Sequence, residues 1–239
     1  MWPFPSKSTL ESIGLFNDFT DWHSHILPGV DDGIPDMESA LQVLERFEQL
    51  GVRTVWLTPH VMEDIPNATA DLQQRFGELL SAYKGAIKLN LAAEYMLDNG
   101  FEERLNSDDL LCIGIQESKT LLVETSYFNP PMDLYGIIAR IREKGYQPML
   151  AHPERYIYMD SGDYERFREM GVRFQCNITS LTGVYGKDAC RKFSTFLAKG
   201  WVHAFGSDIH RLASFNEAIV RKCVDDKQKA LIINAVNGI

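Results

Sequence analysis

The fold of this chain is decided by the stretch Asp21-Trp22-His23-Ser24-His25-Ile26-Leu27-Pro28-Gly29-Val30-Asp31-Asp32-Gly33. A strand in this region presents His23 and His25 on one side, because side chains two residues apart on a strand point the same way. Two neutral imidazoles with carboxylates close behind them are typical of a site for a first-row metal ion. The His-x-His spacing alone is a weak indication, so the interpretation depends on what the other strands carry.

Composition and charge exclude several classes of protein. The 239 residues, 45% of them hydrophobic and 24% charged, suffice for one large domain or two small ones. We predict a single domain over residues 1–239, because no stretch rich in Pro, Gly or Ser marks a boundary. No stretch approaches the roughly 20 consecutive apolar residues that insert across a membrane. The net charge of −9 argues against nucleic acid or an anionic membrane surface as partner, but not against an anionic substrate, since bound cations can dominate the field inside a pocket.

The cysteines indicate a reducing compartment. They are widely spread without a Cys-x-x-Cys pair, and they are Cys112, Cys176, Cys190 and Cys223. Because Met1–Lys7 also lacks the features of a secretory signal, we predict reduced thiols in a cytoplasmic protein. None of the cysteines is followed six residues later by arginine, as a phosphate-binding cysteine nucleophile would be. Any phosphatase chemistry here therefore works without a thiol.

A unit of helix, glycine and short apolar strand recurs along the chain. The four clear helices are Leu41–Leu50, Leu134–Lys144, Tyr164–Met170 and Lys187–Lys199, and each is followed by a glycine. The strands that follow them are Thr54–Thr58, Pro148–Ala151, Arg173–Cys176 and His203–Gly206. Their nearly continuous apolar character is typical of strands covered on both faces.

The number of strands favours a barrel. Phe19–His25, Lys88–Glu94 and Leu121–Glu124 bring the count to about seven, mostly joined through helices. This pattern predicts a parallel α/β barrel, with an open doubly wound sheet as the alternative. Two segments, Met62–Ala70 and Asp98–Ser118, are predicted to be insertions near a site. The C-terminal part is predicted to form two helices over Phe215–Val236 that cover the barrel, with oligomerisation as a weaker alternative.

Polar residues follow or end most of these strands. They are His23 and His25, His60, Glu94, Glu124, His152, and Asp208 with His210. Because parallel strands in a barrel open on one face, these residues are expected to converge. Imidazoles and carboxylates without thiolates suit Mn, Fe or Zn at more than one position. Each has a simpler interpretation alone, such as a loop histidine at His60, a helix cap at His152 or Asp208, or a turn at Asp31 and Asp32.

At this point the sequence resembles a known superfamily. The ordered motifs His-x-His, Leu-Pro-Gly-x-Asp-Asp-Gly, Thr-Pro-His, two strand glutamates, His-Pro-Glu-Arg and Ser-Asp-x-His resemble the polymerase-and-histidinol-phosphatase (PHP) superfamily from about Thr20 to His210. Within it, the chain resembles the CpsB/YwqE-like branch of bacterial protein-tyrosine phosphatases, which is associated with capsule and exopolysaccharide synthesis. The resemblance implies a distorted seven-stranded barrel, similar to a TIM barrel, with a trinuclear and often manganese-dependent metal centre.

The resemblance also implies a ligand set. It assigns His23, His25, Glu94 and Asp208 to the first metal, Glu94 as a bridge with Glu124 and His152 to the second, and Asp32, His60 and His210 to the third. Iron, zinc or magnesium are alternatives to manganese. Arg155, Asp208 and His210 are the predicted catalytic residues.

Arg155 is predicted to bind a phosphate oxygen, because it lies three residues after His152 and guanidinium groups bind phosphate through two parallel hydrogen bonds. The alternative is a surface salt bridge. The family branch usually carries Asn after Ser-Asp-x-His and an arginine a few residues later. Here Arg211 follows His210 directly, so it either replaces the second phosphate-binding arginine or that arginine is missing.

Three functions are compatible with these residues. The first is a metal-dependent phosphatase acting on phosphotyrosine, on a membrane-bound tyrosine autokinase that controls polysaccharide export. The second keeps the site but acts on histidinol phosphate or another small phosphomonoester. The third is a non-catalytic metal-binding module that docks on the kinase.

Overall fold

Ten strands and eight α-helices follow one another along residues 7–115 and 118–237, which the computed structural model describes. The strands are β1 (Thr20–Ser24), β2 (Thr54–Leu57), β3 (His60–Val61), β4 (Lys88–Leu91), β5 (Glu94–Met96), β6 (Ile113–Ile115), β7 (Ser118–Glu124), β8 (Gln147–Ala151), β9 (Arg173–Asn177) and β10 (Ala204–Gly206). The helices are α1 (Met37–Leu50), α2 (Thr69–Ala82), α3 (Phe101–Ser107), α4 (Leu134–Glu143), α5 (Ser161–Glu169), α6 (Gly186–Ala198), α7 (Leu212–Ile219) and α8 (Asp226–Asn237). The absence of a secretory signal was predicted from Met1–Lys7, and residues 1–6 of that stretch lie outside the described part.

The strands form two parallel ladders. One sheet has the order β1-β2-β4, and the other has the order β10-β9-β8-β7-β5-β3. The short strand β6 pairs antiparallel with β7 and is not part of that order. Thr58-Pro59 separates β2 from β3, and Ala92-Ala93 separates β4 from β5. Since β2 pairs with β4 and β3 pairs with β5, each of these two passes is one strand with a break. The chain therefore makes seven parallel passes, as predicted.

The breaks have a physical cause and one consequence for the site. Pro59 has no N–H to donate to a ladder, while its carbonyl accepts a hydrogen bond from the Glu94 N–H at 3.0 Å. Glu94 therefore opens β5, whereas the sequence predicted a single strand that ended at this residue. The prediction that Glu94 ends a strand was therefore wrong. Glu94 is nevertheless fully buried at the same edge of the barrel.

The first and last strands lie side by side. The Asp208 N–H donates to the His23 carbonyl at 2.9 Å, and the His25 N–H donates to the Ile209 carbonyl at 3.2 Å. The Ser207 N–H donates to the Asp21 carboxylate at 2.8 Å. These bonds lie at the carboxyl ends of β1 and β10 and join the two sheets. We call this junction the seam.

The helix–glycine–strand units are confirmed. The glycines after α1, α4, α5 and α6 are Gly51, Gly145, Gly171 and Gly200, and all have a positive φ. This left-handed conformation ends a helix at little cost only when no Cβ is present. The helices pack their apolar faces on the outside of the sheets and form one continuous buried cluster with them.

Other predicted segments differ in detail. Asp98–Ser118 was predicted to be an insertion, and its described part contains α3 and β6. Met62–Ala70 contains a short antiparallel bridge between Met62 and Ile65 before α2 begins. The two predicted C-terminal helices are present as α7 and α8. Among the described residues, none of the helices is both long and apolar enough to cross a membrane.

Candidate metal centre

The carboxyl edge of the barrel brings together all the residues that the sequence predicted as metal ligands. His152 and Asp208 stand at the strand ends with φ values of 33° and 51°, in the left-handed region that residues with a Cβ rarely adopt. Such a conformation costs about 1–3 kcal/mol and persists where the surroundings enforce it, often at functional sites. Neither residue caps a helix through its side chain: His152 precedes a short 3-10 helix over Pro153–Arg155 without a side-chain cap bond.

The first group of side chains is formed by His23, His25, Glu94 and Asp208. The two Nε2 atoms of the histidines lie 3.1 Å apart. Each Nε2 lies 3.2–3.4 Å from Glu94 Oε2 and 3.3–3.6 Å from Asp208 Oδ1. An ion with four ligands at about 2.0–2.1 Å in a tetrahedron holds neighbouring ligand atoms about 3.3–3.4 Å apart. The spacing of the two imidazole nitrogens and the Glu94 oxygen therefore fits a first-row metal ion, with Asp208 beside them.

The second group lies against the first and shares Glu94. His152 Nε2 is 3.0 Å from Glu94 Oε1 and 3.8 Å from Glu124 Oε2. His60 Nδ1 is 3.1 Å from Glu94 Oε2 and 3.0 Å from Glu124 Oε1. These last three atoms are buried, and none has a hydrogen-bond partner among the described residues. Buried polar atoms without a hydrogen-bond partner are costly unless positive charge, from a proton or a metal ion, compensates them.

The third group is more exposed. Asp32 Oδ1 lies 3.5 Å from His60 Nε2 and 3.4 Å from His210 Nε2. The Asp32 side chain is 67% exposed, so this group opens to solvent. His60 thus directs one ring nitrogen to the second group and the other to the third. Three compact groups of ligand atoms result, namely His23, His25 and Glu94; His60, Glu94 and Glu124; and His25, Asp32, His60 and His210. Asp208 and His152 lie beside these groups, and the assignment of ligands to individual ions stays a prediction.

The electrostatics of these groups are dominated by buried carboxylates. Burial alone would lower the pKa of His60, but the adjacent Glu124 and Glu94 carboxylates raise it to about 10. Burial also works against the charged form of His25, whose pKa is nevertheless raised well above its usual value by Asp208 and other carboxylates. For Asp208 burial would raise the pKa, and the adjacent imidazoles hold it well below its usual range. The site therefore attracts positive charge, either as protons or as metal ions.

Sequence reasoning missed the residues that orient these ligands. The Asp31 carboxylate lies 2.8 Å from His25 Nδ1 and accepts a hydrogen bond from the His60 N–H at 3.0 Å. Gln175 Oε1 lies 2.7 Å from His23 Nδ1 and accepts a longer bond, 3.3 Å, from the His152 N–H. Hydrogen bonds to Nδ1 leave Nε2 free to bind a metal, an arrangement common around metal-binding histidines.

Gln175 continues into a chain of amides. Its Nε2 donates to Asn177 Oδ1 at 3.0 Å, and Asn177 Nδ2 donates to Asp208 Oδ2 at 2.6 Å. Both residues lie on β9, two positions apart, so they face the barrel interior together. A polar pair at alternate positions in this strand was the one sequence signal for this role. The two amides connect ligands that come from three different strands.

Arg155 is held rigidly beside the first group. Its Nη1 donates to Asp208 Oδ2 at 2.8 Å, and its guanidinium carbon lies 4.3 Å from the ring centres of both Tyr127 and Tyr185. The side chain is only 20% exposed, so it is not the surface salt bridge that the sequence allowed as an alternative. Stacking between two aromatic rings fixes the plane of the guanidinium.

A cleft of about 530 Å³ lies over these groups. Its walls include side chains from all three groups, Arg155 and its two tyrosines, and Arg211. Apolar side chains complete the walls, namely Met62, Met96, Val184, Ile209, Phe215 and Ala218. The cleft thus combines charged groups at one end with apolar walls, which suits a substrate with an anionic head and an apolar body.

One of the six histidines, His203, lies apart from the site. Its Nδ1 accepts a hydrogen bond from the Phe174 N–H at 3.1 Å, and its Nε2 lies 2.5 Å from Arg168 Nη1. Burial and the nearby Arg168 charge lower the pKa of His203 to about 4. It therefore works as a neutral acceptor.

Comparison with known proteins supports a common origin of this fold and site. Residues 19–236 match the family described as capsular polysaccharide synthesis, CpsB/CapC. The tyrosine-protein phosphatase YwqE of Bacillus subtilis (strain 168) is 27% identical over 203 residues, which cover 82% of this chain and 79% of that protein. A putative tyrosine-protein phosphatase CapC of Staphylococcus aureus is 24% identical over 216 residues, covering 88% and 84%.

A solved structure shows the same fold. It comes from crystal structures of YwqE from Bacillus subtilis and CpsB from Streptococcus pneumoniae, which are metal-dependent tyrosine phosphatases. The two folds agree with a TM-score of 0.70 at 23% sequence identity, covering 92% of this chain and 86% of the other. The predicted parallel α/β barrel fold is thereby confirmed.

Proposed function

Because the chain belongs to the CpsB/CapC family of capsular polysaccharide synthesis, we propose that it is a metal-dependent phosphatase that hydrolyses phosphotyrosine in a protein. The observation that carries the proposal is the set of converging histidine and carboxylate atoms, several of them buried without a hydrogen-bond partner, in a cleft that contains a stacked arginine. The relatives named above are tyrosine-protein phosphatases, which agrees with this chemistry.

We assign three metal positions to the three groups. His23, His25, Glu94 and Asp208 would hold the first ion, Glu94, Glu124 and His152 the second, and Asp32, His60 and His210 the third. Bound divalent ions would supply an activated water and neutralise charge on the phosphoryl oxygens. Oxygen and imidazole ligands without thiolates suit manganese, with iron, zinc or magnesium as alternatives.

The chain's own residues would position the phosphoryl group. The fixed guanidinium of Arg155 has N–H groups left over after its bond to Asp208, and these would bind one phosphoryl oxygen from the cleft side. Asp208 holds Arg155 through Oδ2 while its Oδ1 faces the first group, so it links the phosphate-binding and metal-binding parts. His210 is half-buried in the third group, which is open to solvent. It lies beside Asp208 and would complete the set of catalytic residues with Asp208 and Arg155. Arg211 lines the mouth and is our candidate for the second phosphate-binding arginine.

The protein substrate we propose is a membrane-bound tyrosine kinase that controls capsule or exopolysaccharide synthesis, met by this chain in the cytoplasm. The capsule context of the family and the names of the relatives support this partner. A small phosphomonoester such as histidinol phosphate, or a docking role without catalysis, would use the same groups and are the alternatives that the experiment must separate.

The test compares substrates on metal-stripped protein with and without added Mn²⁺. We expect Mn²⁺-dependent hydrolysis of a phosphotyrosine peptide, little hydrolysis of histidinol phosphate, and loss of activity in His152→Ala. Preference for histidinol phosphate would replace the proposed substrate class. Stoichiometric metal binding without hydrolysis of either compound would leave the docking role.

A further inference from the structure

Exposed apolar side chains are concentrated beside the cleft. Six large hydrophobic residues are exposed in the described part of the chain: Leu80, Phe128, Met132, Ile157, Val184 and Val220. Four of them lie in the loops that follow β7, β8 and β9, at the edge that carries the candidate metal centre. Phe128 is 66% exposed, Ile157 is 63% exposed and Met132 is fully exposed. We call these three residues the apolar patch.

Two residues of the apolar patch lie next to a tyrosine that forms a wall of the cleft. Phe128 follows Tyr127, one of the two rings that stack on Arg155. The Ile157 N–H donates to the Tyr127 carbonyl at 3.0 Å, so the loops after β7 and β8 are joined beside Arg155. Phe128 and Ile157 therefore lie next to the Tyr127 wall of the cleft.

A shallow groove of about 330 Å³ extends the patch outward. It is lined by Met132 with Pro130, Tyr158 and other residues of the same loops. The Tyr158 hydroxyl lies 2.5 Å from Thr125 Oγ1, directly after the candidate ligand Glu124. The groove is thus held to the end of β7 and has room for a side chain that lies several residues from the phosphorylated one.

The charges around the apolar patch are of both signs. Asp133 pairs with Arg140, and Asp160 lines the same groove as Arg191 and Lys192. Charge therefore does not select the neighbours of the phosphotyrosine, and selective contacts outside the phosphoryl site fall to the exposed apolar side chains. Exposed apolar side chains next to a binding site supply such contacts.

We infer that the apolar patch binds the polypeptide on either side of the phosphotyrosine, and that it selects segments with apolar, uncharged neighbours of that residue. This inference rests on the proposed function and adds a recognition surface to it. The occupant is an extended segment of the substrate protein, with its phosphorylated side chain in the cleft and a neighbouring apolar side chain on Phe128 and Ile157.

The experiment uses the Mn²⁺-loaded protein and its Phe128→Ser, Ile157→Ser and double variants. Leu80→Ser is the matched control, because Leu80 is 46% exposed on α2, outside the loops of the patch. The substrates are phenyl phosphate and two phosphotyrosine peptides, one with leucine and phenylalanine next to the phosphotyrosine and one with glycine and serine. Peptides that carry a non-hydrolysable phosphonate provide a binding readout by fluorescence anisotropy.

We expect the double variant to raise KM and the dissociation constant for the apolar peptide about tenfold. Its kcat and its activity on phenyl phosphate should stay at the wild-type level, as should every constant of Leu80→Ser. Equal constants for the two peptides in the wild type, or an unchanged KM in the double variant, would overturn the inference and leave the phosphatase function standing. A wild-type protein that hydrolyses phenyl phosphate but neither binds nor hydrolyses the phosphopeptides would instead refute the proposed function.

Discussion

Replacing Gln175 by methionine should weaken metal binding without unfolding the barrel. The change keeps the volume of the side chain and removes the oxygen that lies 2.7 Å from His23 Nδ1 and 3.3 Å from the His152 N–H. Without that acceptor His23 is free to carry its proton on Nε2, the atom that faces Glu94 and Asp208. A protonated Nε2 cannot bind a metal ion.

Three hydrogen bonds are lost, and the third runs from Gln175 Nε2 to Asn177 Oδ1. The two bonds to the metal ligands His23 and His152 set the effect on metal affinity. A neutral hydrogen bond contributes about 0.5–1.5 kcal/mol, so two contribute about 1–3 kcal/mol. Loss of a partner that orients a metal-binding histidine typically lowers metal affinity about 10–100-fold, or about 1.4–2.7 kcal/mol. Both routes predict a Gln175→Met protein that binds Mn²⁺ about 30-fold more weakly.

The assay is a competition between the protein and a fluorescent chelator for Mn²⁺. Gln175→Glu should bind nearly as well as the wild type, because its carboxylate still accepts from His23 Nδ1. Gln147→Met is the matched control, since the Gln147 amide donates to the carbonyls of Pro148 and Gly171 at the opposite end of the barrel. An affinity of Gln175→Met within threefold of wild type, or an equal loss in the control, would refute the reasoning.

Four further predictions concern metal removal, proton release at His60, the pH dependence of stability at His203, and Arg155. Stripping the metal should lower Tm by about 5–10 °C relative to protein saturated at 100 times Kd, as differential scanning calorimetry would show. Because carboxylates raise the pKa of His60 to about 10, metal binding at pH 8 should release protons, and affinity should rise with pH; equal binding enthalpies in buffers of different ionisation enthalpy would contradict this. The pKa of His203 is lowered to about 4 from an unfolded value near 6.5. Neutral His203 should therefore contribute about 1–2 kcal/mol, discounted for partial exposure, to the free energy of unfolding above pH 6.5, and this contribution is lost as the pH falls towards 4. Urea unfolding of His203→Asn should show a weaker loss of stability between these pH values. Arg155→Lys keeps the charge but not the guanidinium plane, and should lower kcat/KM about 10–100-fold with metal content unchanged, whereas a fall in bound metal would assign Arg155 to the metal centre instead.

The sequence carried enough information to predict the barrel and the set of clustered residues. The glycines after four helices mark where each helix ends, since Gly51 and its counterparts adopt the positive φ that favours this residue. His23 and His25 were expected on one side of a strand, and their Nε2 atoms lie 3.1 Å apart. These features are local, because they depend on backbone geometry within a few residues. The single-domain organisation over residues 1–239 stays a prediction.

The features that sequence reasoning missed depend on contacts between distant strands. The break at Ala92-Ala93, which places Glu94 at the start of β5, follows from the partner strand with Pro59 and has no signal in its own apolar run. Asp31 reads as a turn residue, and only the fold shows that its carboxylate contacts His25. The role of Gln175 and Asn177 could not be predicted, because the residues that they contact come from neighbouring strands that meet only in the folded barrel.

The seam joins β1, the first barrel strand to be synthesised, to β10, the last one. His25 and Asp208 are about 180 positions apart, yet their side chains lie 3.3 Å apart across this junction. A nascent chain that has made β1–β9 presents imidazoles and glutamates without the aspartate that completes the first group. Since domains assemble as synthesis proceeds, the first and third groups are completed last, and a chain truncated before β10 should bind metal more weakly because it lacks Asp208 and His210.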